Sequence, residues 1–435
     1  MVRERNSSFN CTDGYIKQPI RKMDVRYLAP EDIEKSLINL SQIVFEVTDD
    51  CNLNCVYCAF GDLYCDYDRR EKKYMRLSDV KLLIDYFAKL WRNSVTEASV
   101  PETYIGFYGG EPLLNMSFIK DVIDYFDSLH LNRKFKYSIT TNAVLLDRYM
   151  PYLVEKNFSM LISLDGDEYA NGYRVNKAGD NPFKAVLKNI HKLKDCYPEY
   201  YNEKVKFNAV LHNRNDVETV MRFFKEELSK TPTLSELSKI GINPSKINDF
   251  DKMFNSMTRS FQKSENYDRL SDEAFIQCPD IYEAMRYVEI ESGNVFETVK
   301  QLLPRPGKGF VPTGTCVPFE KKMFVSVNGK ILPCERVSHA YYLGRVTETE
   351  LTFDTQSVAD KHNGFLNRVQ KFCKTCGGVY RCRKCVYQID DLESRSFFCD
   401  MHISSKDLDE YYNGCFKYLK SKKGLYRKLL DTIKV

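Results

Sequence analysis

The feature that most constrains the fold is a group of three cysteines placed directly after a predicted strand. The strand covers residues 43–48, and Cys51, Cys55 and Cys58 follow it in the stretch CNLNCVYC. Three thiolates on one tight loop can each hold one iron of a [4Fe–4S] cluster, which leaves the fourth iron free for another ligand. A zinc site usually takes four ligands in paired Cys or His sets, and no such set lies nearby. The spacing therefore predicts an iron–sulfur loop, with a purely structural trio of cysteines as the alternative.

The rest of the composition narrows the class of protein. The chain has fifteen cysteines and no apolar segment typical of a secretory signal, so we expect reduced thiols, metal ligands and a cytoplasmic location. No run of about 18 apolar residues is present, which argues against a membrane span. The net charge of +4 is small and both signs are interspersed, so we expect no nucleic-acid partner.

Strands and helices alternate along the first half of the chain. Predicted strands cover residues 43–48, 103–108, 136–141, 159–164 and 204–212. Such alternation predicts a parallel sheet with crossover helices, and the chemistry of such barrels lies at the carboxyl ends of the strands. The alternation stops near residue 230, so we expect an α/β fold with a partial barrel. The predicted organisation is an N-terminal arm (1–40), the barrel (41–230), a helical insert or bridge (231–312), a cysteine-rich domain (313–405) and a C-terminal helix (406–435).

The cysteine loop and the next strand end resemble the radical S-adenosylmethionine (radical SAM) superfamily. Its signature, CxxxCxΦC, has an aromatic or apolar residue before the last cysteine, which is Tyr57 here. The following strand ends in Gly109, Gly110, Glu111 and Pro112, as in the GGEP element of the family. The resemblance implies a six-stranded (β/α)6 partial barrel whose cluster binds the amino and carboxylate groups of SAM. Glu111 would then accept from the SAM ammonium, and the glycines would let the backbone approach the ligand.

Six later positions match the family in the same order, each with a capping or surface role as the alternative. They are Thr141, Asn142, Ser163, Asp165, Arg174 and Leu211. The resemblance implies that Ser163 meets the SAM ribose and that Leu211 closes the adenine side. Arg174 sits where related maturases place an arginine on the SAM carboxylate, a pairing that suits a guanidinium.

Seven C-terminal cysteines resemble the SPASM domain, which carries two auxiliary Fe–S clusters that we expect to be [4Fe–4S]. The resemblance assigns Cys373, Cys376, Cys382 and Cys399 to one cluster and Cys316, Cys334 and Cys385 to the other. The second cluster is one ligand short, so that Cys278 or Cys415 completes it or one iron stays open. The spacing of Cys382 and Cys385 is one residue shorter than in the family pattern, and a zinc ribbon is the alternative reading.

The resemblance implies an enzyme that forms a 5′-deoxyadenosyl radical and modifies a ribosomally made precursor peptide. The product would be an oxidative intramolecular C–C, C–S or C–O crosslink, with electrons supplied by a donor such as flavodoxin or ferredoxin. The main alternative is a sulfatase-maturase-like oxidation of a Cys or Ser side chain to formylglycine. That reaction needs a carboxylate base, for which Asp165, Asp167 and Glu168 are candidates, although no base is assigned by the sequence.

Two further classes stay open at this stage. A non-catalytic zinc module would contain zinc and no iron–sulfur chromophore, and a small-molecule dehydrogenase would turn over without any peptide. Only about 40 residues precede the first strand, so we expect no full winged-helix domain for binding a peptide leader. The insert over 231–312 or a separate protein would bind the leader, with addition of a peptide strand to a sheet edge as the usual physical route.

Overall fold

The computed structural model describes residues 25–94, 101–291, 311–389, 392–394 and 397–433. Residues 1–24 of the predicted N-terminal arm and 292–310 of the predicted insert lie outside the described residues.

One sheet of ten strands organises the described chain. The strands are β1 (Gln42–Glu46), β2 (Glu102–Tyr108), β3 (Lys134–Thr141), β4 (Ser159–Ser163), β5 (Val205–Leu211), β6 (Thr233–Glu236), β7 (Met323–Val325), β8 (Lys330–Leu332), β9 (Gly344–Val346) and β10 (Leu351–Thr352). Their spatial order is β10-β9-β8-β7-β1-β2-β3-β4-β5-β6. Strands β1 to β6 are parallel in sequence order, β7 adds to β1 in parallel, and β8 to β10 continue antiparallel. This is an open, partial barrel, as predicted from the sequence.

Helices connect the parallel strands and extend beyond them. They are α1 (Pro30–Ile38), α2 (Leu77–Asn93), α3 (Met116–Ser128), α4 (Leu146–Glu155), α5 (Phe183–Cys196), α6 (Pro198–Lys204), α7 (Val217–Phe223), α8 (Ile247–Met253), α9 (Met257–Lys263), α10 (Tyr267–Glu273), α11 (Pro279–Glu291), α12 (Thr355–Cys373), α13 (Ser405–Ser421) and α14 (Leu425–Ile433). Apolar residues at helical spacing explain the crossover helices, since α2 buries Val80, Leu83, Ile84 and Phe87 on one face. Each such side chain contributes about 1.5–3 kcal/mol when fully buried.

The sixth parallel strand, β6, lies beyond residue 230, where the sequence predicted that the alternation of strands and helices stops. Strand β6 has the sequence TLSE, which offers no apolar run, and its pairing with β5 defines it instead. Gln277 holds its outer edge, where its Oε1 accepts from the Leu234 amide at 2.7 Å and its Nε2 donates to the Pro232 carbonyl at 3.1 Å. The predicted helices of the insert follow this strand as α8 to α11.

The cysteine-rich region joins the barrel through the same sheet. Strand β7 pairs with β1, so this region attaches beside the strand that leads into the first cysteine loop. Among the described residues, the helices are too short or too polar to cross a bilayer.

Candidate functional site

The first cysteine loop lies at the carboxyl end of β1 and is fixed by backbone hydrogen bonds. The Asn54 amide donates to the Val175 carbonyl at 2.7 Å, and the Val56 amide donates to the Tyr173 carbonyl at 3.0 Å. Inside the loop, the Cys58 amide donates to the Cys55 carbonyl at 3.1 Å. The loop is therefore held against the segment that follows β4, at the face of the barrel where chemistry is expected.

The three thiols are partly buried and lie close enough to influence one another. Burial raises the pKa of Cys51 to about 12 and that of Cys55 to about 11, and the neighbouring thiols add to the rise. The Leu53 amide opposes the rise at Cys51, and the charge of Arg174 opposes it at Cys55. The Asn142 Nδ2 donates to the Cys51 Sγ at 3.8 Å, and the Arg70 Nη2 donates to the Cys58 Sγ at 3.8 Å. Such N–H···S contacts stabilise thiolate ligands and tune the potential of a cluster. Metal binding must release the thiol protons, because thiolates are the ligands.

The donor set fits a cubic cluster better than a single ion. Within the described residues, no three His, Cys, Asp or Glu side chains converge as they do around one metal ion. A [4Fe–4S] cluster makes a different demand, because each cysteine binds its own iron and the sulfurs surround a larger object. Three thiols without a fourth local ligand leave one iron for an exogenous ligand.

Gly109 and Gly110 let the GGEP turn pack against the start of the cysteine loop. A Cβ on Gly109 would overlap the Thr48 carbonyl oxygen, and a Cβ on Gly110 would overlap that of Asp50. The Gly110 amide donates to the Thr48 carbonyl at 2.8 Å, and Gly109 has a φ of +130°. The glycines are thus required for packing of backbone on backbone, a reason that the sequence analysis did not give. Their contact with a cofactor stays a prediction.

Glu111 is buried beneath this turn and is held by three donors. Its Oε1 accepts from the Leu113 amide at 3.1 Å and from the Thr141 hydroxyl at 2.7 Å, and its Oε2 accepts from the Asn142 amide at 2.8 Å. Burial raises the pKa of Glu111 to about 7, although these hydrogen bonds oppose the rise. Glu111, Thr141 and Asn142 therefore form one hydrogen-bonded unit next to Cys51. The unit lies at the carboxyl ends of neighbouring strands, where the sequence predicts the site.

A second buried unit surrounds Asp165 at the end of β4. Arg174 donates to both carboxylate oxygens through Nε and Nη2, each at 2.9 Å, and the Val210 amide donates to Oδ1 at 3.0 Å. The Tyr57 hydroxyl donates to Oδ2. Burial alone would raise the pKa of Asp165, but the charges and hydrogen bonds of Arg174 and His212 together outweigh it and hold the pKa below its ordinary value. The unit connects the cysteine loop, through Tyr57, to β4 and β5.

This geometry bears on the predicted role of Arg174. The resemblance implied that its guanidinium binds the SAM carboxylate, whereas the structure gives it a bidentate carboxylate partner inside the protein. Its ring contact with Tyr57, at 5.5 Å from the ring centroid, places it directly behind the cysteine loop. Contact between Arg174 and SAM stays a prediction.

Ser163 and Leu211 lie at the ends of β4 and β5. Ser163 pairs in register with Asn208, and Leu211 is fully buried. The sequence analysis missed two residues that follow β5. His212 is buried against Tyr57, with ring centroids 5.6 Å apart, and Asn215 donates to the Asp165 and Val210 carbonyls at 2.9 and 3.0 Å. Their position as polar residues shortly after a buried strand could have indicated them as site residues.

The C-terminal cysteines form the two groups that the resemblance implied. Burial raises the pKa of Cys373 to about 12, and the further contributions come from Cys382, Cys399 and Cys376. Burial also raises the pKa of Cys334 and Cys385. The nearby Cys385 adds to the rise at Cys334, and the nearby Cys316 adds to the rise at Cys385. The proximity of these thiols is a structural observation, and their role as cluster ligands stays a prediction.

The two candidate fourth ligands have other neighbours. Cys278 is buried beside the Tyr267 hydroxyl, 3.6 Å from its Sγ. Cys415 lies on α13, where burial raises its pKa. A hydrogen bond with Tyr411 and the charge of Arg381 oppose this rise. Neither environment includes Cys316, Cys334 or Cys385, so the fourth ligand stays open.

The comparisons with known proteins agree with this geometry. Residues 45–226 match the family model of the radical SAM superfamily. This chain contains a radical SAM domain. The prediction of a radical SAM domain with a partial α/β barrel is therefore confirmed.

Relatives extend the similarity beyond the radical SAM domain. The cysteine-type anaerobic sulfatase-maturating enzyme of Clostridium novyi is 23% identical over 363 residues, which cover 79% of this chain and 87% of that enzyme. The radical SAM cyclopropyl synthase TigE of Paramaledivibacter caminithermalis is 28% identical over 222 residues, covering 49% of this chain and 44% of TigE. The chain spans about half the length of the first curated relatives that it matches.

A solved structure has the same fold. Native anSMEcpe with bound AdoMet superposes with a TM-score of 0.59 at 18% identity, covering 90% of this chain and 99% of that chain. The likeness therefore includes the C-terminal cysteine region as well as the barrel.

Proposed function

We propose that this protein is a radical SAM peptide maturase that forms an oxidative crosslink within a ribosomally made precursor. The observation that carries the proposal is the close approach of the second cysteine region to the first. Tyr108 lies near Cys58 and Tyr67 lies near Cys334, and the Phe60 ring contacts both tyrosines, at 6.1 and 4.7 Å. Phe60, Tyr67 and Tyr108 thus lie between the two candidate cluster sites.

In this proposal the loop cysteines hold the cluster, and Glu111 with Asn142 holds the methionine end of SAM. When bound and reduced, the cluster and SAM supply a 5′-deoxyadenosyl radical. The chain itself orients the reactants and excludes water from them. Tyr57, Asp165 and Arg174 keep the loop in place from behind, since their hydrogen bonds connect it to two strands.

The second cysteine region suits a net oxidation. Crosslinking removes two hydrogens from the peptide, the first as a hydrogen atom and the second as an electron and a proton. The electron needs an acceptor near the substrate, and Cys334 lies near Tyr67, between the two cysteine regions. Cys316, Cys334 and Cys385 would hold one auxiliary cluster there, and Cys373, Cys376, Cys382 and Cys399 the other. A one-electron donor such as flavodoxin or ferredoxin would reduce the SAM cluster.

A peptide substrate is supported by what the similar proteins are named for. The relatives are a sulfatase-maturating enzyme and a cyclopropyl synthase, and anSMEcpe has been solved with AdoMet and the Cp18Cys peptide. Strand addition by a leader is restricted at one edge of the sheet, because Gln277 already bonds the Leu234 amide of β6 and the Pro232 carbonyl just before it. The other edge is the two-residue β10.

The second candidate function is formylglycine formation, which the long match to the sulfatase-maturating enzyme favours. The carboxylates that the sequence suggested as its base differ in how strongly they are engaged. Asp165 is engaged on both oxygens by Arg174, Asp167 accepts from the Ala170 amide at 2.9 Å, and the exposed Glu168 lies 3.7 Å from Lys184.

The test is anaerobic turnover with the peptide encoded beside this chain's own gene. Reconstituted protein, SAM and a reductant should give 5′-deoxyadenosine and a peptide that has lost two hydrogens, with a crosslink located by tandem mass spectrometry. An aldehyde trapped by a hydrazide would support the formylglycine alternative. Peptide that returns unchanged while 5′-deoxyadenosine accumulates would contradict both.

A further inference from the structure

Four carboxylates are almost fully buried in the described part of the chain, and one of them differs from the rest. They are Glu46, Asp49, Glu111 and Asp165. Asp49 accepts from the Glu71 and Lys73 amides on separate oxygens, at 2.8 and 2.6 Å, and both oxygens of Glu111 and Asp165 are also engaged. Glu46 accepts one hydrogen bond, from the Val327 amide to Oε2 at 2.9 Å. No donor among the described residues contacts its Oε1, so this oxygen is open to one.

The position of Glu46 directs its side chain to the interior of the barrel, at the end where the cysteine loop lies. Glu46 is the last residue of β1 and is in register with Tyr108 on β2. Phe45 packs on Phe118 of α3 outside the barrel, and successive side chains of a strand alternate, so Glu46 faces the interior. Its Cγ would lie 3.3 Å from a Cβ on Gly109, which places it beside the GGEP turn.

The surroundings of Glu46 suit proton transfer near neutral pH. Burial raises its pKa to about 7, the Val327 hydrogen bond and Arg70 oppose the rise, and Asp49 and Asp68 add to it. A base is most effective when its pKa lies near the working pH, and a well-placed one contributes about 10²–10⁴-fold to a rate.

We infer that Glu46 is the general base of the crosslinking step, an assignment that rests on the proposed function. The 5′-deoxyadenosyl radical takes one hydrogen atom from a peptide carbon. The new bond forms between that carbon and a second peptide atom, which loses its proton to Glu46 Oε1. The remaining electron passes to an iron–sulfur acceptor, so the peptide loses two hydrogens in total. Glu46 then returns its proton to solvent.

Glu335 is the competing carboxylate at this end of the barrel, since its charge acts on both Tyr67 and Tyr108. Its two oxygens are both 3.1 Å from the Lys322 Nζ, so it is held as an ion pair. Because both oxygens already contact a cation, Glu335 is the matched control.

The experiment compares Glu46→Gln with Glu335→Gln in the reconstituted holoenzyme. Glutamine keeps an oxygen that can accept from the Val327 amide, so we expect the variant to keep the fold. Its iron content and EPR spectrum test whether the fold is retained. The substrate is the peptide encoded beside the gene, uniformly deuterated. The readouts are deuterium in 5′-deoxyadenosine and crosslinked peptide formed per 5′-deoxyadenosine.

Glu46→Gln should transfer deuterium but give about 100-fold less crosslink per 5′-deoxyadenosine, or lower still, whereas Glu335→Gln should stay within about threefold of wild type. Equal crosslink yields for Glu46→Gln and wild type would overturn the assignment, as would loss of crosslink in Glu335→Gln alone. A wild-type enzyme that forms no crosslink would instead contradict the proposed function. Infrared difference spectra provide a readout without peptide. Glu46 and Glu111 should both contribute carboxyl bands that titrate near pH 7, and Glu46→Gln should remove one of the two, whereas an unchanged carboxyl signal would count against the assignment.

Discussion

Single residues fix the candidate site through close backbone packing and full use of buried polar atoms. Gly110 is the clearest case, because its missing Cβ leaves room for the Asp50 carbonyl at the entrance of the cysteine loop. Glu111 and Asp165 show the second principle, since all of their oxygens accept hydrogen bonds. Both features restrict the positions of Cys51, Cys55 and Cys58 before any cluster is bound.

Gly110→Ala should therefore displace the cysteine loop. We expect a loss of several kcal/mol in the free energy of unfolding, because overpacking against backbone costs about 1–3 kcal/mol or more. The loop iron should fall with it, measured as iron per protein after anaerobic reconstitution. Gly364→Ala is the control, because the methyl group that alanine adds at this position of α12 meets no other atom within 4 Å and alanine favours a helix. Wild-type iron content in Gly110→Ala would contradict the packing argument.

Glu46 gives a prediction about the pH dependence of stability. Its folded pKa of about 7 is raised above the ordinary value of 4.5, so its contribution to stability is fully present below pH 4.5 and is lost as the pH rises to 7. Glu46→Gln has no carboxyl group to ionise and so avoids this loss. Its free energy of unfolding should therefore rise relative to that of wild type between pH 4.5 and pH 7, by about 3 kcal/mol. Thermal unfolding of both proteins from about pH 5 to about pH 8 measures the difference. A difference that stays constant with pH would show that the carboxyl is not buried in this way.

At the scale of the element, the sequence predicted the strands that carry strong apolar patterns and missed strands that depend on their partners, such as β6. Strand β1 could be recognised from its run of Ile43, Val44 and Phe45. Strand β6 could not, because TLSE carries no such run and its position follows from β5 and Gln277. The same limit applies to the site, since motifs indicated Glu111 and the cysteines, whereas the pairing of Arg174 with Asp165 depends on how the strand ends meet.

Gln277→Ala should expose the edge of β6. Two hydrogen bonds are lost, each worth about 0.5–1.5 kcal/mol, so we expect a decrease of about 1–3 kcal/mol in the stability of this edge. Amide hydrogen exchange at Leu234 should become faster, while exchange in β2 should not change. Gln356→Ala removes a glutamine that contacts Asp360 on the surface of α12 and is the control. Unchanged exchange at Leu234 would mean that another group protects the edge.

At the scale of the whole molecule, β7 places the second cysteine region next to the strand that leads to the first loop. The cysteines of that region lie in two sets, one with Cys334 and one with Cys399. A substitution in each set should therefore affect a different cluster. We expect Cys399→Ala and Cys334→Ala to lose different EPR signals and to lower the iron content to a similar extent. Both variants should still cleave SAM, because the first loop is intact. Loss of all iron in either variant would contradict two independent sites.

The central claim is that Cys51, Cys55 and Cys58 hold a [4Fe–4S] cluster that cleaves SAM. The most direct measurement is the yield of 5′-deoxyadenosine from anaerobically reconstituted wild type and Cys55→Ala with SAM and a reductant. The account predicts 5′-deoxyadenosine from wild type and none above background from Cys55→Ala, with auxiliary iron still bound to the variant. Equal yields from the two proteins, or zinc in place of iron at this loop, would contradict it.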